Sequence, residues 1–443
     1  MKTIFATISS PLKSSVTLIR ISGPQALKCL KELGVIADLK PNYSYFARLK
    51  INDELLDEAM VTFFQSPKSF TGEDVAEISV HSSNYIIKKI YTHLQNIENV
   101  VEAGAGEFSK RAFLNNKIDL VQAEAIPDLI ASETASQHKQ ALRQLSGELG
   151  NLYEKWRQKI IEILAPIEAL IDFPEDDLPE TLLNKIKADA QKLHHEISNH
   201  LNDNNIGQKL KSGINIAIIG SPNVGKSSLI NFLTNSEVAI VSKHAGTTRD
   251  IINCHLDIAG IPVIISDTAG IRSTKNTIEN EGVKRALKKS QDADLKIYVI
   301  DCEKPTIHSD LIDENTIIFF NKIDKNNTFD APKFIQDHKL SKDISFICGS
   351  ITNKINCGDI FKIVENKIKV IFNNIDLPLI TQERYRISLQ NCLSSLDNFM
   401  TEKNFEICAE NLRICAYEIG KINGKIDIET ILDQIFSKFC IGK

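Results

Sequence analysis

Gly220-Ser221-Pro222-Asn223-Val224-Gly225-Lys226-Ser227 is the stretch that decides the fold of this chain's central part. It satisfies the pattern G-x-x-x-x-G-K-[ST]. The apolar run Ile214–Ile219 precedes it and the helical run Ser228–Leu233 follows, the strand-then-helix setting the pattern requires. Glycines let successive backbone N–H groups curl around a phosphate. Lys226 adds a cation against β- and γ-phosphate charge, and the Ser227 hydroxyl can bind Mg²⁺. The helix N-terminus adds a favourable dipole. A chance glycine-rich turn is the competing reading, and the flanking strand and helix count against it.

Outward from this loop, residues 213–372 alternate apolar strands (Ile214–Gly220, Val263–Asp267, Leu295–Asp301, Ile317–Asn321, Ile344–Ile347) with helical segments, the rhythm of a parallel sheet with crossover helices. Three further elements sit at the strand ends. Asp267-Thr268-Ala269-Gly270 offers an Asp to hold Mg²⁺ through water and a Gly N–H to sense a γ-phosphate. Thr247-Thr248 offers a hydroxyl to close over Mg²⁺. Asn321-Lys322-Ile323-Asp324 places a carboxylate that accepts from guanine N1 and N2, which adenine cannot satisfy. The expected ligand is GTP, held by Asn223, Val224, Gly225, Lys226, Ser227, Ser228 and these three elements. The fifth element of such sites, Ser-Ala-Lys, is degraded to Cys348-Gly349-Ser350, whose backbone N–H groups are the candidates for guanine O6. The residue after Gly270 is Ile271, so the water-orienting glutamine of Ras-type enzymes is missing; Glu279 and Glu281 are the candidates to replace it. Arg249 and Arg272 read equally as arginine fingers or as solvated surface residues.

At 443 residues the chain is too long for one core, and length suggests about three domains. A net charge of −5 argues against a generally basic nucleic-acid coat, so an RNA partner needs a local basic surface. No apolar run approaches the ~20 residues of a membrane span, and the start Met1–Thr7 lacks the apolar segment of a signal peptide. The nine cysteines lack any Cys-x-x-Cys pair, which reads as reduced thiols in a cytoplasmic protein. Residues 1–118 carry short β-type runs such as Val16–Ile21 and Val61–Phe64, punctuated by Ser22-Gly23-Pro24, Ser66-Pro67 and Thr71-Gly72: a mixed α/β domain. From Leu120 to about Leu201, and again over 381–438, apolar residues recur at helical spacing, with a break at Phe173–Pro179 and a polar linker at Asn202–Gly207. The economical architecture is multidomain: an N-terminal α+β domain, a long-helix domain, and a P-loop GTPase domain of parallel-sheet α/β type inserted into the helical one.

Several stretches carry a resemblance. Gly246-Thr247-Thr248-Arg249-Asp250 and Asp267-Thr268-Ala269-Gly270-Ile271-Arg272 look like the switch signatures of the MnmE (TrmE) family of tRNA-modification GTPases. Ser69-Phe70-Thr71-Gly72-Glu73-Asp74, Gly106–Asn115 and the terminal Phe439-Cys440-Ile441-Gly442-Lys443 resemble that family outside its G domain. The resemblance implies a tetrahydrofolate-binding-like and dimerisation domain over 1–118, a helical domain split between 119–210 and 373–443, and a G domain over 211–372. It implies that Arg20, Glu77 and Lys117 contact a tetrahydrofolate derivative (5-formyl or methylene form), with the tail through Lys443 nearby. On residue chemistry alone, Glu77 reads as a solvent-facing strand residue. The resemblance further implies Mg²⁺ on Ser227 and Thr248, and K⁺ on Asn223, Ser242, His244 and the Thr247 region, the cation standing in for an arginine finger. Ser242 thereby joins the nucleotide site. Glu279 matches the family's water-orienting glutamate. The implied protein is a homodimer. It works with an FAD-dependent MnmG-type partner, in a heterotetramer or larger complex, to add a carboxymethylaminomethyl-type group to C5 of the wobble uridine of certain tRNAs. Cys440 reads either as a catalytic thiol or as a small packing residue.

Two stretches depart from the family pattern. Ser9–Ser15 stands where a glycine-rich turn is usual, and His81-Ser82-Ser83 stands for His-Gly-Gly. Both add side chains where backbone approaches a ligand or neighbour. Three rival readings stay in view: an Era-like ribosome-assembly GTPase, a folate-binding aminomethyltransferase with a merely regulatory G domain, and an interaction protein with a degenerate site. Intact Lys226, Asp267 and Asp324 oppose the last.

Overall fold

The computed structural model describes residues 2–9, 14–35, 38–172, 180–236, 238–239, 253–267, 293–341, 343–372, 378–426, 432, 435–437, 439–440 and 442. Two compact units divide the chain. One comprises Met1–Pro127, Gln144–Leu193 and Asn391–Lys443; the other comprises Asp128–Arg143 and His194–Gln390. The expected helix break at Phe173–Pro179 lies outside the described residues.

The first unit begins with a six-stranded sheet in the order β3-β4-β5-β2-β1-β6, where β1 is Thr3–Thr7, β2 Val16–Ser22, β3 Ser44–Ile51, β4 Glu54–Phe64, β5 Val75–His81 and β6 Val100–Glu102. Only β1 and β6 pair in parallel; the other pairs are antiparallel. Side chains alternate between faces along a strand. Ile19, Ile21, Ala76, Ile78 and Val80 therefore share one face, where helices α1 (Ala26–Glu32) and α2 (Asn84–Gln95) add Cys29, Leu30, Ile90 and Leu94. Arg20 and Glu77, partners across β2 and β5, take the opposite face. There α3 (Glu107–Leu114) brings Phe108 into a cluster with Ile4 and Ala6.

The same unit contains the long helices. Of these, α4 is Leu120–Ile130, α6 Glu148–Asp172 and α7 Glu180–Leu201, the ends of α4 and α7 reaching into the second unit, where α5 (Ala135–Leu145) mostly lies along with the short α8 (Ile206–Ser212). On α6 the buried residues Leu149, Tyr153, Trp156, Ile160, Ile163 and Ile167 recur every three or four positions. On the helix Phe405–Asn423, Cys408, Leu412, Cys415, Ile419 and Ile422 do the same. These stripes are the seam along which apolar faces of helices meet. The two helices lie against each other and run antiparallel: Arg413 pairs with Glu168 at 2.7 Å, and Asn423 Nδ2 donates to the Gly150 carbonyl at 3.0 Å. The segments flanking the α/β region thus meet.

The second unit holds a six-stranded sheet, β12-β11-β10-β7-β9-β8, built from β7 (Ile214–Ile219), β8 (Asn253–Ile258), β9 (Ile261–Asp267), β10 (Leu295–Asp301), β11 (Thr316–Asn321) and β12 (Ser345–Cys348). All neighbours are parallel except β8, an antiparallel edge strand. Both faces are covered. Ile216, Ile218, Ile297, Val299, Ile317 and Phe319 point into one core with helix α9 (Lys226–Thr234) and the helix Asp359–Ile371. Ala217, Ile219, Tyr298, Ile300, Ile318 and Phe320 point into the other, with the helix Ala331–Asp337. A sheet buried on both faces reads as continuous apolar runs, which is why these strands were legible. No described helix is long and apolar enough to cross a membrane.

Candidate functional site

The nucleotide-site candidates of the second unit cluster where ligands bind in open α/β sheets, at the carboxyl ends of the parallel strands. The chain leaves β7 at Gly220 (φ +142°), where a Cβ would lie 2.3 Å from the Val299 carbonyl oxygen. It enters α9 through Gly225 (φ +108°), where a Cβ would lie 2.3 Å from Asn321 Nδ2. Only glycine fits either position, so the loop lies flat against the ends of β10 and β11. Lys226 begins α9, and its Nζ donates to the carbonyls of Gly220 at 2.9 Å and Ser221 at 2.7 Å, which holds the cation over the loop. Ser227 and Ser228 are exposed in the first turn of α9. Asn223 is exposed in a left-handed conformation (φ +64°), and Val224 is buried.

Asn321 ties the two halves of this site together. Its side chain is 4% exposed. Nδ2 donates to the Val224 carbonyl at 2.8 Å, and Oδ1 accepts from the Ile351 N–H at 3.2 Å. Lys322 Nζ donates to the Asn223 carbonyl at 3.2 Å and pairs with the Asp301 carboxylate. Burial pushes the Asp301 carboxyl up, but the Lys322 hydrogen bond and the Glu303 N–H outweigh it, and the group rests below the ordinary aspartate range. Asp324 sits half-buried in the single turn Ile323–Lys325. Cys302, at the end of β10, is pushed up to about 12 by burial, so it is a protonated core thiol.

The loop after β12 differs from the expectation built on Cys348-Gly349-Ser350. The Gly349 N–H donates to the Phe320 carbonyl at 2.9 Å and the Ser350 N–H to Ile355 at 3.0 Å, so backbone pairing uses both. The Ile351 N–H instead lies beside Asn321.

Asp267 closes β9, in register with Ile218 of β7. Ser242, His244, Thr247, Thr248, Thr268, Ala269, Gly270, Glu279 and Lys443 lie outside the described residues, as do Arg249, Arg272 and Glu281. The sequence reading overlooked Asp301 as a partner for Lys322, and the signal for it was an acidic residue at the carboxyl end of a parallel strand. It also overlooked Asn321 as a strut between loops.

In the first unit Arg20 and Glu77 form a cross-strand ion pair (2.7 Å) with side chains 17% and 21% exposed. The Arg20 guanidinium lies 5.1 Å from the Phe70 ring centre and 5.6 Å from that of Phe108. Lys117 Nζ donates to the Pro67 carbonyl at 2.9 Å. Cys440 is exposed, while its carbonyl accepts from the Gly106 N–H at 3.3 Å. The two departures from the family pattern answer each other: Ser82 Oγ is 3.0 Å from Ser14 Oγ and 2.7 Å from Thr17 Oγ1. The added hydroxyls satisfy one another, while His81 pairs with Asp57 at 2.8 Å.

The family model "MnmE helical domain" matches residues 120–440, and "GTP-binding protein TrmE N-terminus" matches 3–117. The tRNA modification GTPase MnmE of Rickettsia canadensis is 46% identical over 451 aligned residues, and that of Rickettsia prowazekii 45% over 454, each covering 100% of both chains. Among solved structures, the G domain of the T. maritima FeoB iron transporter aligns with 35% of this chain and 98% of its own, at 25% identity and a TM-score of 0.27.

Proposed function

The chain belongs to the MnmE family of tRNA modification GTPases, and on that premise we propose how its residues perform the work. It is a GTP hydrolase that acts in tRNA modification. The observation that best supports the site assignment is the Asn321 strut, which joins the phosphate loop to the base-side loop. A nucleotide spanning the two halves meets backbone N–H groups and the dipole of α9 at its phosphates. Lys226 exchanges its loop carbonyls for the β- and γ-phosphates. Asp324 accepts from guanine N1 and N2, which selects GTP over ATP.

The hydroxyl and amide oxygens of Ser227 and Asn223, exposed beside the phosphate loop, are hard donors suited to such cations. Ser227 and Thr248, with Asp267, would hold Mg²⁺. Asn223, with Ser242, His244 and Thr247, would hold K⁺. When bound, the monovalent cation supplies the positive charge that an arginine finger supplies elsewhere. Glu279 orients the attacking water through a bridging water. Two protomers of a homodimer bring their G domains together across this site.

In the N-terminal domain the Arg20–Glu77 pair, seated against Phe70 and the buried Phe108, and Lys117 offer cations for a glutamate tail and a carboxylate for pterin N–H groups, and the exposed Phe70 offers an aromatic face for the ring. The proposed ligand is a 5-formyl- or methylene-tetrahydrofolate, with Lys443 near it and the exposed Cys440 thiol as the candidate nucleophile. The product is a carboxymethylaminomethyl-type group on C5 of a tRNA wobble uridine, made with an FAD-dependent MnmG-type partner in the cytoplasm. GTP hydrolysis drives a conformational cycle, not bond formation. The test is turnover of GTP and ATP by the purified chain in K⁺ and in Na⁺ at matched ionic strength. GTP-selective hydrolysis, much faster in K⁺, is expected. Equal turnover in the two salts would remove the K⁺ assignment, and equal use of ATP would remove the role of Asp324.

A further inference from the structure

Residues 128–143, which read from sequence as part of the helical domain, fall within the compact unit that also holds the GTPase sheet. Two sets of contacts attach them. At the entry to β7, Asp128 pairs with Lys211 at 2.9 Å and Gln137 Nε2 donates to the Lys211 carbonyl at 3.1 Å. At the β8–β9 hairpin, the Ser136 N–H donates to the Gly260 carbonyl at 3.2 Å, and His255 lies 3.4 Å from the Glu133 carboxylate. Gln137 links the two sets, because its Oε1 accepts from the N–H groups of Glu133 (2.9 Å) and Thr134 (3.2 Å).

The hairpin has a special place in the chain. β8 starts just after Gly246–Asp250 and β9 ends at Asp267, so both ends of the hairpin connect directly to the segments assigned to γ-phosphate and Mg²⁺ sensing. Its turn is the two-residue Ala259-Gly260, with φ +54° and +82° and Ile258 facing Ile261, the tightest kind of hairpin connection. Such a turn has no slack to absorb a shift of its strands. The contacts there include one backbone hydrogen bond and one partly exposed pair. Contacts of that kind are individually weak, so they can be made and broken reversibly. The Lys211 attachment is of the same kind, one hydrogen bond and one partly exposed pair, but it sits in the helix Ile206–Ser212 that leads into β7, away from the hairpin.

We infer that the Ala259-Gly260 tip of the β8–β9 hairpin is the contact through which nucleotide occupancy acts on the helical segment Asp128–Arg143. The inference rests on the GTPase reading above. The test is hydrogen exchange of the full chain with GDP or with a non-hydrolysable GTP analogue, followed by mass spectrometry. Wild type is compared with the double variant Glu133→Ala/His255→Ala and with Ser136→Pro. The latter removes the N–H donor at a position in the first helical turn, where proline is tolerated. None of these residues is assigned to the nucleotide, so GTP turnover should stay within about twofold of wild type. In wild type, amides of residues 133–143 should exchange at rates differing at least threefold between the two nucleotides, and both variants should lose most of that difference. A difference that persists in both variants overturns the inference. So does a wild-type response confined to the phosphate loop and Asn321–Asp324. A wild-type chain that binds no guanine nucleotide would instead defeat the GTPase reading, and the inference with it.

Discussion

Gly225→Ala probes the junction between the phosphate loop and the base-side loop. At φ +108° an L-residue is strained by roughly 1–2 kcal/mol. The new Cβ would sit 2.3 Å from Asn321 Nδ2, so the amide must withdraw and leave the buried Val224 carbonyl without its donor. An unmet buried polar group costs about 1–3 kcal/mol. The nucleotide-competent loop is therefore disfavoured by about 2–5 kcal/mol, equivalent to a dissociation constant raised roughly 30- to 4,000-fold. The assay is titration with a fluorescent GDP analogue. A multidomain chain has no single unfolding free energy, so affinity is the better readout. Because the clash acts through Asn321, Gly225→Ala and Asn321→Ala share one contact and should not add. The double variant should lose about 1–3 kcal/mol less than the sum of the singles. A Gly225→Ala affinity within threefold of wild type, or strictly additive losses, would refute this account of the junction.

Glu279→Ala should retain GTP affinity and lose at least about 100-fold in turnover, the scale of general acid–base assistance; unchanged single-turnover rates would move the role to Glu281 or elsewhere. His200 tests the electrostatics at the end of α7. Burial holds its imidazole down at about 4, and the nearby Arg386 adds to this while Asp203 opposes it. The unfolded chain, with a histidine near 6.5, takes up a proton first as pH falls. Stability contributed at this site is thus full above about pH 6.5 and declines toward pH 4. Urea midpoints measured between pH 7 and 4 should fall less steeply for His200→Gln than for wild type; parallel curves would remove histidine protonation as a cause.

The nucleotide loop, the five parallel strands and Asn321–Asp324 were legible because phosphate, sheet burial and guanine each demand particular residue types at particular spacings. The edge strand β8 was passed over although Cys254, Leu256 and Ile258 alternate with His255 and Asp257, the ordinary signature of a strand with one buried face. The base-side loop was less legible for a different reason: whether its N–H groups are already spent depends on loop geometry, which side-chain identity does not reveal, and here Gly349 and Ser350 donate to backbone carbonyls and Ile351 to the Asn321 side chain. Residues 128–143 have the same Gln-, Ala- and Leu-rich texture as their helical neighbours, a texture that does not announce the contacts they make with Lys211 and the hairpin. The stripes on α6 and on Phe405–Asn423 announced two amphipathic helices, but a stripe does not name its partner, and many pairings would bury it equally well.

The central claim is that this GTPase serves tRNA modification. Mass spectrometry of wobble uridines in tRNA from cells lacking the gene tests it most directly, with complementation by wild type and by Lys226→Ala. The account predicts loss of the C5-modified uridines in the deletion strain, restoration by wild type and no restoration by Lys226→Ala. A deletion profile identical to the parent strain would contradict it.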